Sequence, residues 1–68
     1  MKAIDSLIHN SVQLTVLVEI NSENRAEPFY FLNGDEVELS PRMRPLYYNL
    51  LQGLFHNLCQ RYKASPKA

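Results

Sequence analysis

The chain has 68 residues, with seven basic and seven acidic side chains, two histidines and a single cysteine. This balance excludes the large excess of Lys and Arg that marks most nucleic-acid-binding domains, and the single cysteine excludes an internal disulfide. A domain of this size buries only about 60% of the surface that its unfolded chain exposes, so association with another chain is a common supplement to its core. We therefore expect one small domain over residues 1–68 that associates with another protein.

The N-terminal segment carries apolar residues at helical spacing. Ile4, Leu7 and Ile8 stand at i, i+3 and i+4, which fits one face of a short helix. Asp5 and His9 interrupt the apolar run that a signal peptide needs, and no run approaches the roughly 18 apolar residues of a membrane span. The segment predicts a short N-terminal helix, and the chain is expected to be cytoplasmic.

Strict alternation extends from residue 12 to residue 20. Apolar residues at the even positions alternate with mostly polar residues at the odd ones, which is the period of a strand with one buried face. The even set is Val12, Leu14, Val16, Val18 and Ile20. This is the first predicted strand, and Leu17 is the apolar exception on its other face.

The middle of the chain predicts a hairpin. The polar connection 21–27 leads to a short aromatic strand at residues 29–32. Asn33-Gly34 follows between two apolar runs, and this pair favours a type I′ turn because both residues tolerate positive φ. A third strand is expected at residues 37–39, running back along the second.

The C-terminal third predicts the main helix. Ser40 is a candidate N-cap, but Pro45 would crowd the preceding turn of a helix that starts there. Residues 41–44 are therefore expected to form a separate turn, with the regular helix running from about Pro45 to about Tyr62. Residues 63–68 are predicted to be a frayed basic tail.

Together these elements predict an α+β fold in the order α-β-β-β-α, a three-stranded antiparallel meander with the C-terminal helix packed across it. This order resembles that of the double-stranded-RNA-binding domain. That family contacts RNA through a lysine-rich start of its last helix and a basic loop between its first two strands. Here the helix opens with Arg42 and Arg44 only, and the connection 21–27 is net acidic. The likeness is one of element order, and membership of that family is not predicted.

The C-terminal helix is apolar around more of its circumference than one sheet can cover. Its apolar side chains sweep an arc of roughly 220° at 100° per residue, whereas one core needs a stripe of about 100°. The side expected to face the sheet holds Leu46, Leu50, Leu54 and Leu58. Tyr48, Phe55 and Tyr62, spaced by seven residues, then form one line on the free side. These three aromatic residues and Leu51 are the predicted protein interface.

The far face of the sheet offers a second candidate surface. Leu17 faces away from the helix if the even residues of its strand face it. Phe29 and Phe31 lie on one side of the second strand, and Tyr30 and Leu32 lie on the other. We expect Leu17, Tyr30 and Leu32 to form the binding surface if the helix is wholly core.

Charge is polarised along the chain. Six acids and one base lie between Glu19 and Glu38, whereas five bases and no acid follow from Ser40 onward. The favoured interpretation is that the two regions face each other within the fold. The alternative is a nucleic-acid-binding dimer that brings two copies of one basic set together. That set is Arg42, Arg44, Arg61 and Lys63.

One pair of residues invites a chemical interpretation. His56 and Cys59 stand at i and i+3, so they share a helix edge and could ligate a metal or pair as base and nucleophile. A structural zinc needs four ligands, and the chain adds only His9 as a further nitrogen ligand. No GxGxxG, Walker, CxxC or HExxH motif is present. The sequence therefore predicts no metal, no cofactor and no catalysis.

These observations favour a non-enzymatic protein-binding or regulatory module, expected to be a homodimer. Small inhibitors, antitoxin-like proteins and phage-type regulators form the class that such a chain fits by size. The identity of the protein partner is not specified by any motif.

Overall fold

The computed structural model describes residues 1–67 and contains a meander of four antiparallel strands followed by one helix. The strands are β1 (Lys2–His9), β2 (Val12–Ile20), β3 (Arg25–Leu32), β4 (Asp35–Val37) and β5 (Ser65–Pro66), and the helix is α1 (Pro45–Arg61). Strands β1 to β4 lie side by side in chain order, and β5 pairs in parallel with the start of β3. The α+β class with a C-terminal helix is confirmed, but the meander has four strands where three were predicted.

The predicted N-terminal helix is wrong, because that segment forms β1. Within residues 1–67 no helix precedes α1. Ile4 and Ile8 lie on one face of the sheet and Leu7 lies on the other, so their spacing is compatible with a strand as well as with a helix. Pairing with β2 along the whole length of β1, from Lys2 to His9, decides between the two. The element order of the double-stranded-RNA-binding domain is therefore absent as well.

A two-residue turn joins β1 to β2. Asn10 and Ser11 have φ angles of 49° and 65°, so both adopt the left-handed conformation that a type I′ turn requires. The Cβ of any residue other than glycine disfavours this region; asparagine tolerates it through local hydrogen bonding of its side chain, and serine adopts it less readily. The turn places His9 directly opposite Val12 and thereby sets the register of the whole hairpin.

This turn gives a stability prediction. Replacing Ser11 by glycine should raise the free energy of unfolding by about 0.5–1 kcal/mol, because the penalty for a left-handed non-glycine residue is removed. Urea denaturation of both proteins measures the difference. The matched control is Gly34→Ala at the other type I′ turn, where φ is 85° and the same argument predicts a loss of about 1 kcal/mol. A destabilising Ser11→Gly change would contradict the assigned turn.

The second hairpin is the one that the sequence predicts. Asn33 and Gly34 have φ angles of 50° and 85°, and β4 runs back along the end of β3. The Asn33 side chain accepts a hydrogen bond from the Gln13 N–H at 2.9 Å, which ties the turn to β2. β4 is short and ends at Val37, so Leu39 lies beyond the strand in which it was expected.

The helix begins at Pro45 and ends at Arg61, close to its predicted bounds. Residues 41–44 form the separate turn that Pro45 demands. Ser40 does not cap the helix; its Oγ accepts a hydrogen bond from the Arg42 N–H at 3.1 Å and its carbonyl accepts one from the Met43 N–H. Pro45 occupies the first helical turn, where its missing N–H has no intrahelical partner to lose.

The core lies between α1 and one face of the sheet, which we call the inner face. The even residues of β2 and β3 point to this face, as do the odd residues of β1 and β4. The buried apolar residues are Ala3, Leu14, Val16, Val18, Ile20, Ala26, Tyr30, Leu51, Leu54, Leu58 and Cys59. The opposite side of the sheet, the outer face, contributes none of them.

The C-terminal segment is attached to the sheet, although it was predicted to be frayed. The Ser65 N–H donates to the Asn24 carbonyl at 2.8 Å and the Lys67 N–H donates to the Ala26 carbonyl at 2.8 Å. Ala68, the last residue of the predicted tail, lies outside the described residues. The segment therefore pairs with the first part of β3 on the edge that faces away from β2, and β4 pairs with the last part of the same edge.

Candidate functional site

The outer face of the sheet carries an apolar row that crosses three strands. Ile4 lies opposite Leu17, which lies opposite Phe29. Phe31 lies on the same face, two residues further along β3. Ile4 is 63% exposed, and Leu17, Phe29 and Phe31 are half-buried. The only helix of residues 1–67 lies on the inner face, so nothing in the described chain packs over this row.

Charged side chains border the row on one side. Lys2, Glu19 and Glu27 form the neighbouring cross-strand row. Lys2 Nζ lies 3.7 Å from Glu19 Oε1, and Lys67 Nζ lies 3.2 Å from Glu27 Oε1. These are exposed ion pairs, so each contributes little to stability. They surround the apolar row with polar groups that can remain in contact with water when the row is covered, as at the rim of a protein interface.

The outer face has no excess of positive charge. Its strands contribute the acids Glu19, Glu27 and Glu36 and the bases Lys2 and Arg25, and Lys67 reaches Glu27 from the C-terminal segment. Three acids and three bases leave this surface neutral. A neutral apolar surface fits a protein partner better than a phosphate backbone, which requires positive charge.

The residues of the predicted helix interface are not all on a free surface in the structure. Leu51 is fully buried against the sheet, so its side chain offers no surface to a partner. Phe55 is half-buried and packs edge to face with Tyr30 at a ring centroid distance of 6.4 Å. Tyr48 is half-buried, and Tyr62 is 40% exposed at the end of α1.

The centre of the apolar arc, not one of its sides, faces the sheet. Leu51 and Leu58 at the centre are fully buried, whereas Leu46 at one margin is 45% exposed. Of the leucines expected to face the sheet, Leu54 and Leu58 are buried as predicted, whereas Leu46 is exposed and Leu51, assigned to the interface, belongs to the core. The margin at Leu46 reaches solvent, whereas Cys59 at the opposite margin is buried, and Phe55, the middle member of the aromatic line, packs on Tyr30.

The sheet residues of the second candidate surface do not share a face. Leu17 lies opposite Phe29 on the outer face, whereas Tyr30 and Leu32 pair with Val16 and Leu14 on the inner face. Tyr30 is a core residue, and Leu32 packs against the core. Burial, with smaller contributions from Cys59 and Tyr48, raises the pKa of the Tyr30 hydroxyl. The predicted grouping of Leu17 with Tyr30 and Leu32 is therefore corrected to Leu17 with Phe29 and Phe31.

His56 and Cys59 lie in different environments. The imidazole is exposed, whereas the thiol is buried, and burial raises the pKa of the Cys59 thiol. A raised pKa keeps the thiol protonated, which is the opposite of what an activated nucleophile needs. Among residues 1–67, no three His, Cys, Asp or Glu side chains are grouped closely enough to hold a metal ion.

The bases of the nucleic-acid alternative are not brought together. Arg42 and Arg44 lie before α1, and Arg61 and Lys63 lie at its far end. A helix of 17 residues is about 25 Å long, so the two pairs are widely separated within one chain. Arg61 also contacts Asp5 of β1, with 3.7 Å between Nη2 and Oδ2. Within one chain the four bases therefore form two separate groups.

Ile4, Ile8, Phe29 and Phe31 are the outer-face residues that the sequence-based prediction missed. Ile4 and Ile8 were assigned to a helix, so they were never compared with the far side of the sheet. The available signal was Asn10-Ser11, a two-residue turn between apolar segments. It would have indicated a hairpin and placed both isoleucines beside Leu17 and its neighbours.

No helix in residues 1–67 combines the length and the apolar character needed to cross a membrane. Comparison with protein-family models, curated proteins and solved structures found no significant match to the chain.

Proposed function

We propose that the chain is a non-enzymatic protein-binding module whose contact surface is the outer face of the sheet. The observation that carries this proposal is the uncovered row Ile4, Leu17 and Phe29, with Phe31 beside it. Contiguous apolar patches on the surface of a small protein are commonly interaction sites. Aromatic residues at the centre and charged residues at the rim are the usual composition of such sites.

The class that fits this proposal is a small regulator or inhibitor that occupies a surface of a larger protein. The helix margins at Tyr48 and Tyr62 are a smaller candidate surface, because Phe55 between them packs on Tyr30. The neutral outer face supports a protein partner in preference to a nucleic acid. Binding should therefore respond weakly to ionic strength and strongly to loss of the apolar side chains.

The test compares capture of binding partners from a cell lysate by three forms of the chain, each with and without nuclease. The outer-face variant is Leu17→Thr/Phe31→Thr, which removes apolar area but retains residues that favour strands. The control variant is Tyr48→Ala/Tyr62→Ala on the helix margins. Circular dichroism establishes that all three forms are folded before capture.

We expect a protein captured by the wild type to be retained by the control and reduced about tenfold or more by the outer-face variant. The reverse pattern would assign binding to the helix margins and overturn the proposed surface. Loss of capture after nuclease treatment would favour the nucleic-acid alternative and overturn the proposed partner class.

A further inference from the structure

The two edges of the sheet are built differently. The outer edge of β3 is covered by β5 at its start and by β4 at its end, and Pro28, which has no N–H, lies between them. The opposite edge is β1, which pairs with β2 on one side only. It is eight residues long, contains no proline and keeps an unbroken register with β2. Among the described residues nothing pairs with its other side.

Long, regular and uncovered edge strands are templates for pairing with another strand. Proteins usually prevent such pairing with prolines, bulges, charged side chains, short strands or a covering segment. The β3 edge has a proline and covering segments, which β1 lacks; the charges of β1 are Lys2 and Asp5, and each already forms an ion pair within the chain. The contrast leaves the backbone groups along the edge of β1 available to another strand.

The hydrogen bonds show which backbone groups β1 offers. The Met1 amine donates to the Ile20 carbonyl at 3.0 Å, and the Ile20 N–H donates to the Met1 carbonyl at 2.7 Å. Alternation then directs the backbone groups of the odd residues toward β2 and those of Lys2, Ile4, Ser6 and Ile8 away from it. Consistent with this, the Ser6 N–H donates to the adjacent Asp5 Oδ1 at 2.9 Å and not to a strand.

The two isoleucines of β1 have unusually exposed side chains. Ile4 is 63% exposed and Ile8 is 72% exposed, and both project from the outer face of β1. A strand added to β1 would flank both side chains and extend the apolar outer face beyond its present edge.

We propose that β1 pairs in antiparallel fashion with β1 of a second copy of this chain, about a two-fold axis at Ser6. In this register Ile4 lies opposite the partner's Ile8, and Ile8 lies opposite the partner's Ile4. Each hydrogen-bonded pair exchanges two bonds, so the joint contains about six backbone hydrogen bonds. The Asp5–Ser6 bond, which is exposed, gives way to them.

The two neighbouring registers are less favourable. A two-fold axis at Asp5 would place two Asp5 carboxylates directly opposite each other in a close, non-hydrogen-bonded pair, which is repulsive. An axis at Leu7 would place Ile4 opposite the partner's Asn10, a turn residue, and shorten the pairing. The axis at Ser6 avoids both problems and matches isoleucine with isoleucine.

The resulting dimer has one continuous sheet with both helices on the same side. The two apolar rows then lie on one joined outer face, with the four isoleucines at the joint. This extends the proposed protein-binding function but does not depend on it, because pairing through β1 needs no third protein.

The test measures oligomeric state by light scattering and sedimentation equilibrium across the micromolar range. The wild type should approach twice the chain mass of 7.9 kDa as its concentration rises. The Ile4→Lys/Ile8→Lys variant should be monomeric, because lysines oppose each other at both contacts. The Ile4→Lys/Ile8→Glu variant should dimerise again, because each introduced lysine meets an introduced glutamate.

A second comparison tests the backbone pairing itself. Ser6→Pro removes an outward N–H while leaving the bonds to β2 in place, and should weaken the dimer at least about tenfold. Ser6→Thr keeps that N–H and should dimerise like the wild type. A monomeric wild type would overturn the proposal, as would a dimer that survives both Ile4→Lys/Ile8→Lys and Ser6→Pro. Neither of those outcomes would affect the proposed binding surface, which is tested by Leu17→Thr/Phe31→Thr.

Discussion

Replacing Leu51 by alanine should lower the free energy of unfolding by about 2–5 kcal/mol. The side chain is fully buried at the centre of the helix face that contacts the sheet, so its removal loses apolar burial and leaves a cavity. The total stability of a domain of 68 residues is about 3–10 kcal/mol. The variant should therefore be largely unfolded at moderate temperature, as thermal melts followed by circular dichroism would show.

Leu46→Ala is the matched control, since it makes the same substitution in the same helix. Leu46 is 45% exposed and lies at the margin of the apolar arc, so its loss should cost less than about 1 kcal/mol. Equal losses for the two variants would contradict the orientation of α1 described here. A larger loss at Leu46 would mean that the helix is rotated on the sheet.

Replacing Tyr30 by alanine should cost about 3–5 kcal/mol, a loss comparable to the largest expected anywhere in the chain. Tyr30 is buried on the inner face and packs edge to face with Phe55, with 6.4 Å between the ring centroids. The substitution removes both the burial and the aromatic contact. Urea denaturation measures the change in the free energy of unfolding.

Phe31→Ala tests the same strand from its other side. Phe31 is adjacent in sequence but lies on the outer face, where it is only half-buried and no helix covers it. Its replacement should cost about 1 kcal/mol or less and leave the chain folded. If Phe31→Ala unfolds the chain while Tyr30→Ala does not, the helix covers the opposite face of the sheet.

Several parts of the fold could be predicted because local chemistry decides them. The alternation from Val12 to Ile20 has one period, and the even residues that it indicates as buried are buried in β2, apart from half-buried Val12. Asn33-Gly34 tolerates positive φ at both positions and forms the predicted turn. Pro45 can only be accommodated near the start of a helix, and α1 begins there.

The N-terminal segment could not be assigned from its own residues. Ile4, Leu7 and Ile8 satisfy a helical face, and they also satisfy a strand in which Leu7 faces inward and the isoleucines face outward. The choice depends on β2, whose edge supplies partners along the whole of β1. A strand that is stable only when it is paired cannot be predicted from its own residues alone.

The candidate site shows the same division between local and tertiary information. The width of the apolar arc on α1 is a property of the sequence, but its centre is set by how the helix lies on the sheet. Leu51 therefore belongs to the core and Phe55 to its border, although the apolar arc alone assigned both to a free surface. Likewise, the opposite faces of Tyr30 and Phe31 follow from alternation, but which face is covered does not.

By itself the sequence determined the strand period, the second turn and the bounds of the helix. The tertiary structure decided that the first segment is a strand, that the helix presents the middle of its arc to the inner face, and that the outer face and the β1 edge are left uncovered. The physical reason is that periodicity and turn chemistry are local, whereas pairing and coverage depend on residues far apart in the chain. Lys67 and Glu27 illustrate this, because the segment that was expected to fray is attached to β3 by contacts across 40 positions.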